Sequence, residues 1–292
     1  MMRESVRIRA LLLVRLSLTA ILMPPVIYFL WLCIRCFLMD YFSIPTSSMQ
    51  PTLMPKDEVA VNKLLAGARI YSDLDFDKDG TELKSWRTKG LRHIRLGDLI
   101  VFNFPHHGDK INFVINNVFC KRVIALPGDT LTITDGYYKN NNYEGVLGLG
   151  SEQRKFSSMP DSILPISILN IFPFDEYFPG STKNMLPLYV PRRGDVIKTG
   201  ARTATFYRMI LEWELKAKVT WDWEIDEAFA DAKVIKRHEF QHDYYFVAGD
   251  NVADSYDSRY WGLVPEEYIV GVVSHVLRKD GHGAWRFVDF YK

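Results

Sequence analysis

The chain has 292 residues, 48% of them hydrophobic and 14% aromatic, which is ample for a packed core and excludes a disordered chain. Its 36 Lys and Arg stand against 35 Asp and Glu, a net charge of +1, with no basic run longer than two residues, so nothing supports a nucleic-acid partner. Three cysteines, Cys33, Cys36 and Cys120, fit neither a disulfide framework nor paired zinc spacings.

Arg3, Arg7, Arg9 and Arg15 precede an uncharged apolar run, residues 16–34, whose 19 residues just suffice to cross a bilayer. Bulky residues continue past its end with no small-x-small cleavage site, so residues 16–38 read as an uncleaved transmembrane anchor. Pro24-Pro25 removes two backbone donors and predicts a kink or break. The arginine excess before the span puts residues 1–15 in the cytoplasm and the remainder outside.

Next comes Ile44-Pro45-Thr46-Ser47-Ser48-Met49-Gln50-Pro51-Thr52-Leu53. Its two prolines fix φ and push their predecessors towards extended backbone, so the hydroxyls between them lie on a stiffened track. Two readings fit: a Ser/Thr/Pro linker, or a nucleophile held beside a membrane.

Beyond residue 58 short β-like runs alternate with turns: 58–63, 98–104 and 119–126, then 244–248 and 268–277. Gly-Asp pairs enter several of them, at Gly97-Asp98, Gly128-Asp129, Gly194-Asp195 and Gly249-Asp250, as reused turn chemistry. In a strand over 119–126, Lys121 shares a face with Phe119, Val123 and Ala125. There it is either a snorkelling surface lysine or a desolvated amine able to take a proton from a serine. Residues 132–243 differ in texture: loops rich in Asn, Gly and Pro, then helix-like spacing over 203–218, which reads as an inserted α+β subdomain.

His238-Glu239-Phe240-Gln241-His242 is a literal HExxH, but zinc chemistry needs it on a helix and here it runs into an aromatic, β-branched strand. The last dense polar stretch is the loop Gly249-Asp250-Asn251-Val252-Ala253-Asp254-Ser255-Tyr256-Asp257-Ser258-Arg259-Tyr260-Trp261-Gly262. It reads as a hydrogen-bonded scaffold or as a solvated loop.

Taken with Gly97-Asp98-Leu99-Ile100-Val101-Phe102 and Lys121-Arg122-Val123-Ile124-Ala125-Leu126-Pro127-Gly128-Asp129, these stretches resemble the four boxes of type I signal peptidase, the membrane-bound leader peptidase of bacteria.

The resemblance implies a mostly β, antiparallel and barrel-like catalytic domain in two parts, 39–131 and 244–292, behind a transmembrane helix. It implies a serine endopeptidase that removes signal peptides from secretory preproteins with small residues at the first and third positions before the cut. Ser48 falls at the nucleophile and Lys121 at the general base, with Thr46 and the Ser48 N–H at the oxyanion hole and Ser255 at the lysine-orienting serine. Arg122, Asp250, Asp257, Ser258 and Arg259 are expected to support the site. Ile44, Pro45, Met49, Leu53, Phe119 and Cys120 are the expected substrate walls, and Ser47 and Thr52 carry no assigned chemistry. No metal or cofactor is implied; the partners are the preprotein and the lipid bilayer of the bacterial inner membrane. Val252 and Ala253 depart from the pattern, standing where many members have Arg and Asp. A rival of another class is a silent, membrane-tethered binding module of the same fold.

Overall fold

The computed structural model describes residues 2–77, 79–279 and 285–288, so the ends of the expected N-terminal and second catalytic segments, residue 1 and residues 280–284 and 289–292, lie outside the described residues. The N-terminal helix, Met2–Cys33, runs unbroken through Pro24 and Pro25. The expected break does not occur: each proline removes one backbone donor, and helical turns on both sides carry the helix past it. Within it and the π-helical turn Ile34–Leu38, the stretch Leu11–Leu38 is long and apolar enough to cross a membrane, and its most apolar part is not buried against the domain.

Strand β1, Met39–Ser43, follows that turn without a linker. Arg35 Nη2 lies 2.5 Å from Asp40 Oδ1, and Lys63 Nζ donates to the Arg35 carbonyl at 2.6 Å and approaches Asp40 at 3.3 Å. Helix end and sheet edge are thus pinned together.

The main sheet has eight antiparallel strands: β1, then β2 (Glu58–Asn62), β3 (Leu99–Asn103), β4 (Val118–Ala125), β5 (Tyr244–Ala248), β6 (Val264–Pro265), β7 (Ile269–Lys279) and β8 (Trp285–Val288). Their pairing order is β1-β2-β7-β3-β4-β5-β6, with β8 on β7. Being central, β3 is covered on both faces, and every one of its residues is buried. Leu99 and Val101 join Ile44, Met49, Leu53 and Val273 in one cluster; Ile100 and Phe102 join the larger cluster with Val123, Phe246 and Ile269. A continuous apolar run is what such a two-sided position selects.

Residues 132–243 form small sheets and the helices Gly150–Ser158, Ile166–Leu169 and Ala201–Leu215. The last of these covers most of the predicted 203–218 and stops where Lys216 turns left-handed at φ 53°. Ile133, Leu188 and Leu211 of this segment lie in the same buried cluster as Ile100 and Val123, so it packs as a continuation of the sheet's core.

The recurring Gly-Asp pairs make one turn three times. Asp98, Asp129 and Asp195 each accept from the backbone N–H three residues earlier, at 2.8–3.0 Å, after a glycine with φ of 83°, 92° and 83°. Asp57 repeats the bond to Met54 N–H at 2.8 Å, but there Lys56 holds the positive φ, 77°. Gly249-Asp250 is built differently and belongs to the site.

Candidate active site

The loop 44–53 is closed at its base. Ile44 N–H donates to the Asp57 carbonyl at 2.8 Å, Lys56 N–H returns to the Ile44 carbonyl at 2.7 Å, and Arg278 clamps the Asp57 carboxylate at 2.8 and 2.6 Å. Inside it, Leu53 N–H donates to Met49 carbonyl at 2.9 Å, and both side chains are sunk in the core beneath the loop. The hydroxyls are therefore displayed on a framework anchored by burial.

From the other side comes β4. Its register sets Lys121 opposite Ile100 and Phe119 opposite Phe102, and Lys121 is only 4% exposed. Lys121 Nζ lies 2.5 Å from Ser48 Oγ, joining residues 73 positions apart. Burial pushes the Lys121 amine below its ordinary value, while the carboxylates of Asp257 and Asp250 partly hold it up. An amine so placed can spend time neutral and take a hydroxyl proton. Thr46 Oγ1 sits 3.4 Å from Ser48 Oγ on the exposed side.

The loop 249–262 locks the two halves together. Asn251 N–H donates to the Ser48 carbonyl at 3.1 Å and its side chain to the Ser47 carbonyl at 3.2 Å. Asp250, fully buried, takes Arg122 Nε and Nη2 at 2.7 and 2.6 Å and also accepts from Thr52 Oγ1. Arg122 Nη1 continues to the Gly97 carbonyl at 2.9 Å. Asp257 and Arg259 form a fully buried two-pronged pair, 2.8 Å at each contact. Gly249 N–H donates to Asp257 at 3.0 Å, Arg259 reaches the Val252 carbonyl at 2.9 Å, and Ser258 Oγ accepts from Val247 N–H at 3.0 Å. Burial pushes the Asp257 carboxyl up, but the Arg259 guanidinium, the Gly249 N–H and the Lys121 charge together outweigh it and leave the group below its usual range. A buried ion pair survives only with such completeness of bonding.

Ser255 is the exception. Its Oγ is buried and makes no hydrogen bond, so the expected orienting bond to Lys121 is not formed in this structure. The backbone explains its nearness: a Cβ built on Gly249 would lie 2.1 Å from Ser255 Oγ and 2.4 Å from the Ser48 carbonyl oxygen. The serine hydroxyl is packed over the glycine, against the Ser48 peptide.

Beside Ser48 and Lys121 lies a cleft of about 370 Å³. Of the expected walls, Ile44, Pro45, Met49, Phe119 and Cys120 line it. Leu53 does not: it has no exposed surface and packs wholly into the buried cluster that also holds Val59 and Leu99, whereas Met49, in the same cluster, still reaches the cleft floor. Val118, Asp254 and Tyr256 line the cleft unanticipated, and Ser47 Oγ donates to Asp254 at 3.1 Å. The density of polar residues in 249–262 was the available signal for Asp254; none marked Val118. Burial in apolar surroundings pushes the Cys120 thiol up to about 12, so it is a wall and a poor nucleophile.

The HExxH histidines go elsewhere. His238 sits on the short strand Arg237–Glu239 with Nε2 2.6 Å from Glu214, while His242 Nδ1 meets Glu267 at 2.6 Å. Two carboxylates on separate elements take them, as extended backbone directs.

Comparison with known families decides the relationship. A family model described as signal peptidase, peptidase S26, matches residues 15–156 and 210–277, which include Ser48, Lys121 and the whole loop 249–262. The chain belongs to this family. It is accordingly a peptide-bond hydrolase. Signal peptidase I of Buchnera aphidicola subsp. Baizongia pistaciae is 26% identical over 85% of this chain and 74% of its own length. That of Aquifex aeolicus is 27% identical over 82% and 76%, and that of Pseudomonas fluorescens 26% over 84% and 66%. A crystal structure of a signal peptidase I from Enterococcus faecalis is 20% identical, covering 62% of this chain and 97% of that one, with a TM-score of 0.25.

Proposed function

We propose that this member of the family removes N-terminal signal peptides from secreted preproteins, with Ser48 as nucleophile and Lys121 as general base. The 2.5 Å contact between Ser48 Oγ and a buried Lys121 Nζ carries the reading. Neutral Lys121 takes the Ser48 proton as Oγ attacks the scissile carbonyl, and returns it to the departing amine of the mature chain. An acyl-enzyme is left on Ser48. Lys121 then draws a proton from water, whose oxygen attacks the ester, and the proton goes back to Ser48 as the signal peptide is released. Thr46 Oγ1 and the Ser48 N–H are the proposed oxyanion donors. Ser255, whose buried hydroxyl has no partner of its own, is the proposed orienting group for Lys121.

Ile44, Pro45, Met49, Phe119 and Cys120 leave shallow room in the cleft, which suits small side chains at the first and third positions before the cut, presented by an extended chain. The apolar helix would hold the domain at the extracytoplasmic face of a bacterial inner membrane, with residues 1–15 inside.

The test is cleavage of a preprotein after an Ala-x-Ala-like site by the detergent-solubilised chain. Ser48→Ala and Lys121→Ala both abolish it, and Thr46→Val lowers turnover on the order of 100-fold. Cleavage that survives Lys121→Ala refutes the dyad.

A further inference from the structure

The cleft at Ser48 shares a wall with a second one. On the far side of Asp254 and Tyr256 opens a groove of about 520 Å³, lined also by Ile168, Phe174, Ala253 and Tyr260. Asp254 is the only charged side chain in its lining among the described residues. Ala253, one of the departures from the family pattern, leaves this part of the floor uncharged.

Segment 166–174 builds the outer side of the groove and is fastened directly to the catalytic loop. Phe172 N–H donates to the Arg259 carbonyl at 2.8 Å, and Tyr260 OH donates to the Ile168 carbonyl at 3.1 Å. Just beyond, Phe174 holds a φ of 60° and is 61% exposed. Left-handed backbone is unfavourable for a phenylalanine. The exposed ring recovers little of that through burial within the chain. Opposite it, Tyr256 is 56% exposed and stacks on Tyr260 with centroids 5.8 Å apart. Two open aromatic faces, one on strained backbone, flank a groove that continues the reaction cleft.

We infer that this groove is a subsite for the mature side of the substrate, taking an apolar side chain, aromatic by preference, from among the first four residues after the cut. The inference rests on the proteolytic reading above. Continuity names the occupant: with the acyl half against Ile44 and Cys120, a chain passing Ser48 next meets the wall formed by Asp254 and Tyr256. An extended chain advances about 3.3 Å per residue, so only its first few residues lie within reach of the groove. The segment 132–243 thereby acquires a part in substrate choice.

The experiment measures kcat/KM of the full chain in detergent on peptides with a fixed Ala-x-Ala acyl half and alanine at the first four positions after the cut, replaced one at a time by phenylalanine. One position raises kcat/KM about tenfold over the all-alanine peptide, the scale of partly burying one ring. Phe174→Gly, which accepts positive φ without strain, brings that ratio within twofold, and Phe174→Leu leaves it intermediate. A flat wild-type profile, or a ratio unchanged in Phe174→Gly, overturns the subsite while leaving the peptidase reading intact. Failure to cut any peptide, the all-alanine one included, overturns the peptidase reading and the subsite with it.

Discussion

Gly249→Ala is a one-atom perturbation aimed at the proposed nucleophile, Ser48. The new Cβ would stand 2.4 Å from the Ser48 carbonyl oxygen and 2.1 Å from Ser255 Oγ. Ser255 can turn about one bond, but the carbonyl is backbone and already accepts from Asn251 N–H at 3.1 Å. To reach even a tight contact of 3.0 Å the Ser48 peptide must retreat by about half an ångström, carrying Oγ away from Lys121. Overpacking of this kind costs about 1–3 kcal/mol of stability. Misplacing a reacting group by a comparable distance costs on the order of 100-fold in rate. The assay is kcat/KM on a preprotein-derived peptide beside the melting temperature. Gly194→Ala is the companion, because its φ of 83° strains any Cβ while nothing stands within 4 Å of one. It loses about 1 kcal/mol and keeps its rate. If Gly249→Ala retains activity within threefold of wild type, the claim that this glycine sets the position of Ser48 is wrong.

Activity rises with pH as Lys121 loses its proton, with the midpoint below the lysine's ordinary 10.5 because burial lowers it. Between the folded and ordinary values the native state binds fewer protons than the unfolded chain, so stability also rises with pH in that window. Lys121→Met removes that slope, is inactive, and melts no lower than wild type near neutral pH; pH-dependent calorimetry checks all but the activity. Asp257→Asn leaves the Arg259 charge buried beside a neutral group, a loss of about 3–5 kcal/mol, seen as a fall in melting temperature of about 10 °C. Lys56→Gly relieves the positive φ at the one Asp turn lacking glycine; the gain, after the entropy of a freer unfolded chain, is about 0.5–1 kcal/mol, readable by urea denaturation.

The strands were legible because central positions demand continuous apolar runs: 98–104 and 119–126 became β3 and β4 almost residue for residue. Lys121 could be singled out for the same reason, since a lone cation among Phe119, Val123 and Ala125 has no solvent to face. What stayed hidden were bonds across great separations. Thr52 reaches Asp250 over 198 positions and Ser47 reaches Asp254 over 207, and neither hydroxyl looks different in sequence from a solvated one. Leu53 was misjudged because neighbours on a turn share no fixed face, and only packing decides which of them is floor and which is wall. Pro24-Pro25 misled in the other direction: a local penalty was outweighed by the length of helix around it.

The splice between the apolar helix and β1 gives this domain a fixed height. A flexible tether would let the cleft wander through a range of depths and meet any passing loop. Here Arg35, Asp40 and Lys63 close the joint, and β1 is already the edge of the sheet that carries the loop 44–53. On the proposed reading, with the helix in a bilayer, Ser48 would be the tip of a gauge: a preprotein would be measured by how far its scissile bond stands from its own buried segment, and lengthening the joint at Leu38-Met39 by a few residues would shift which bond is cut.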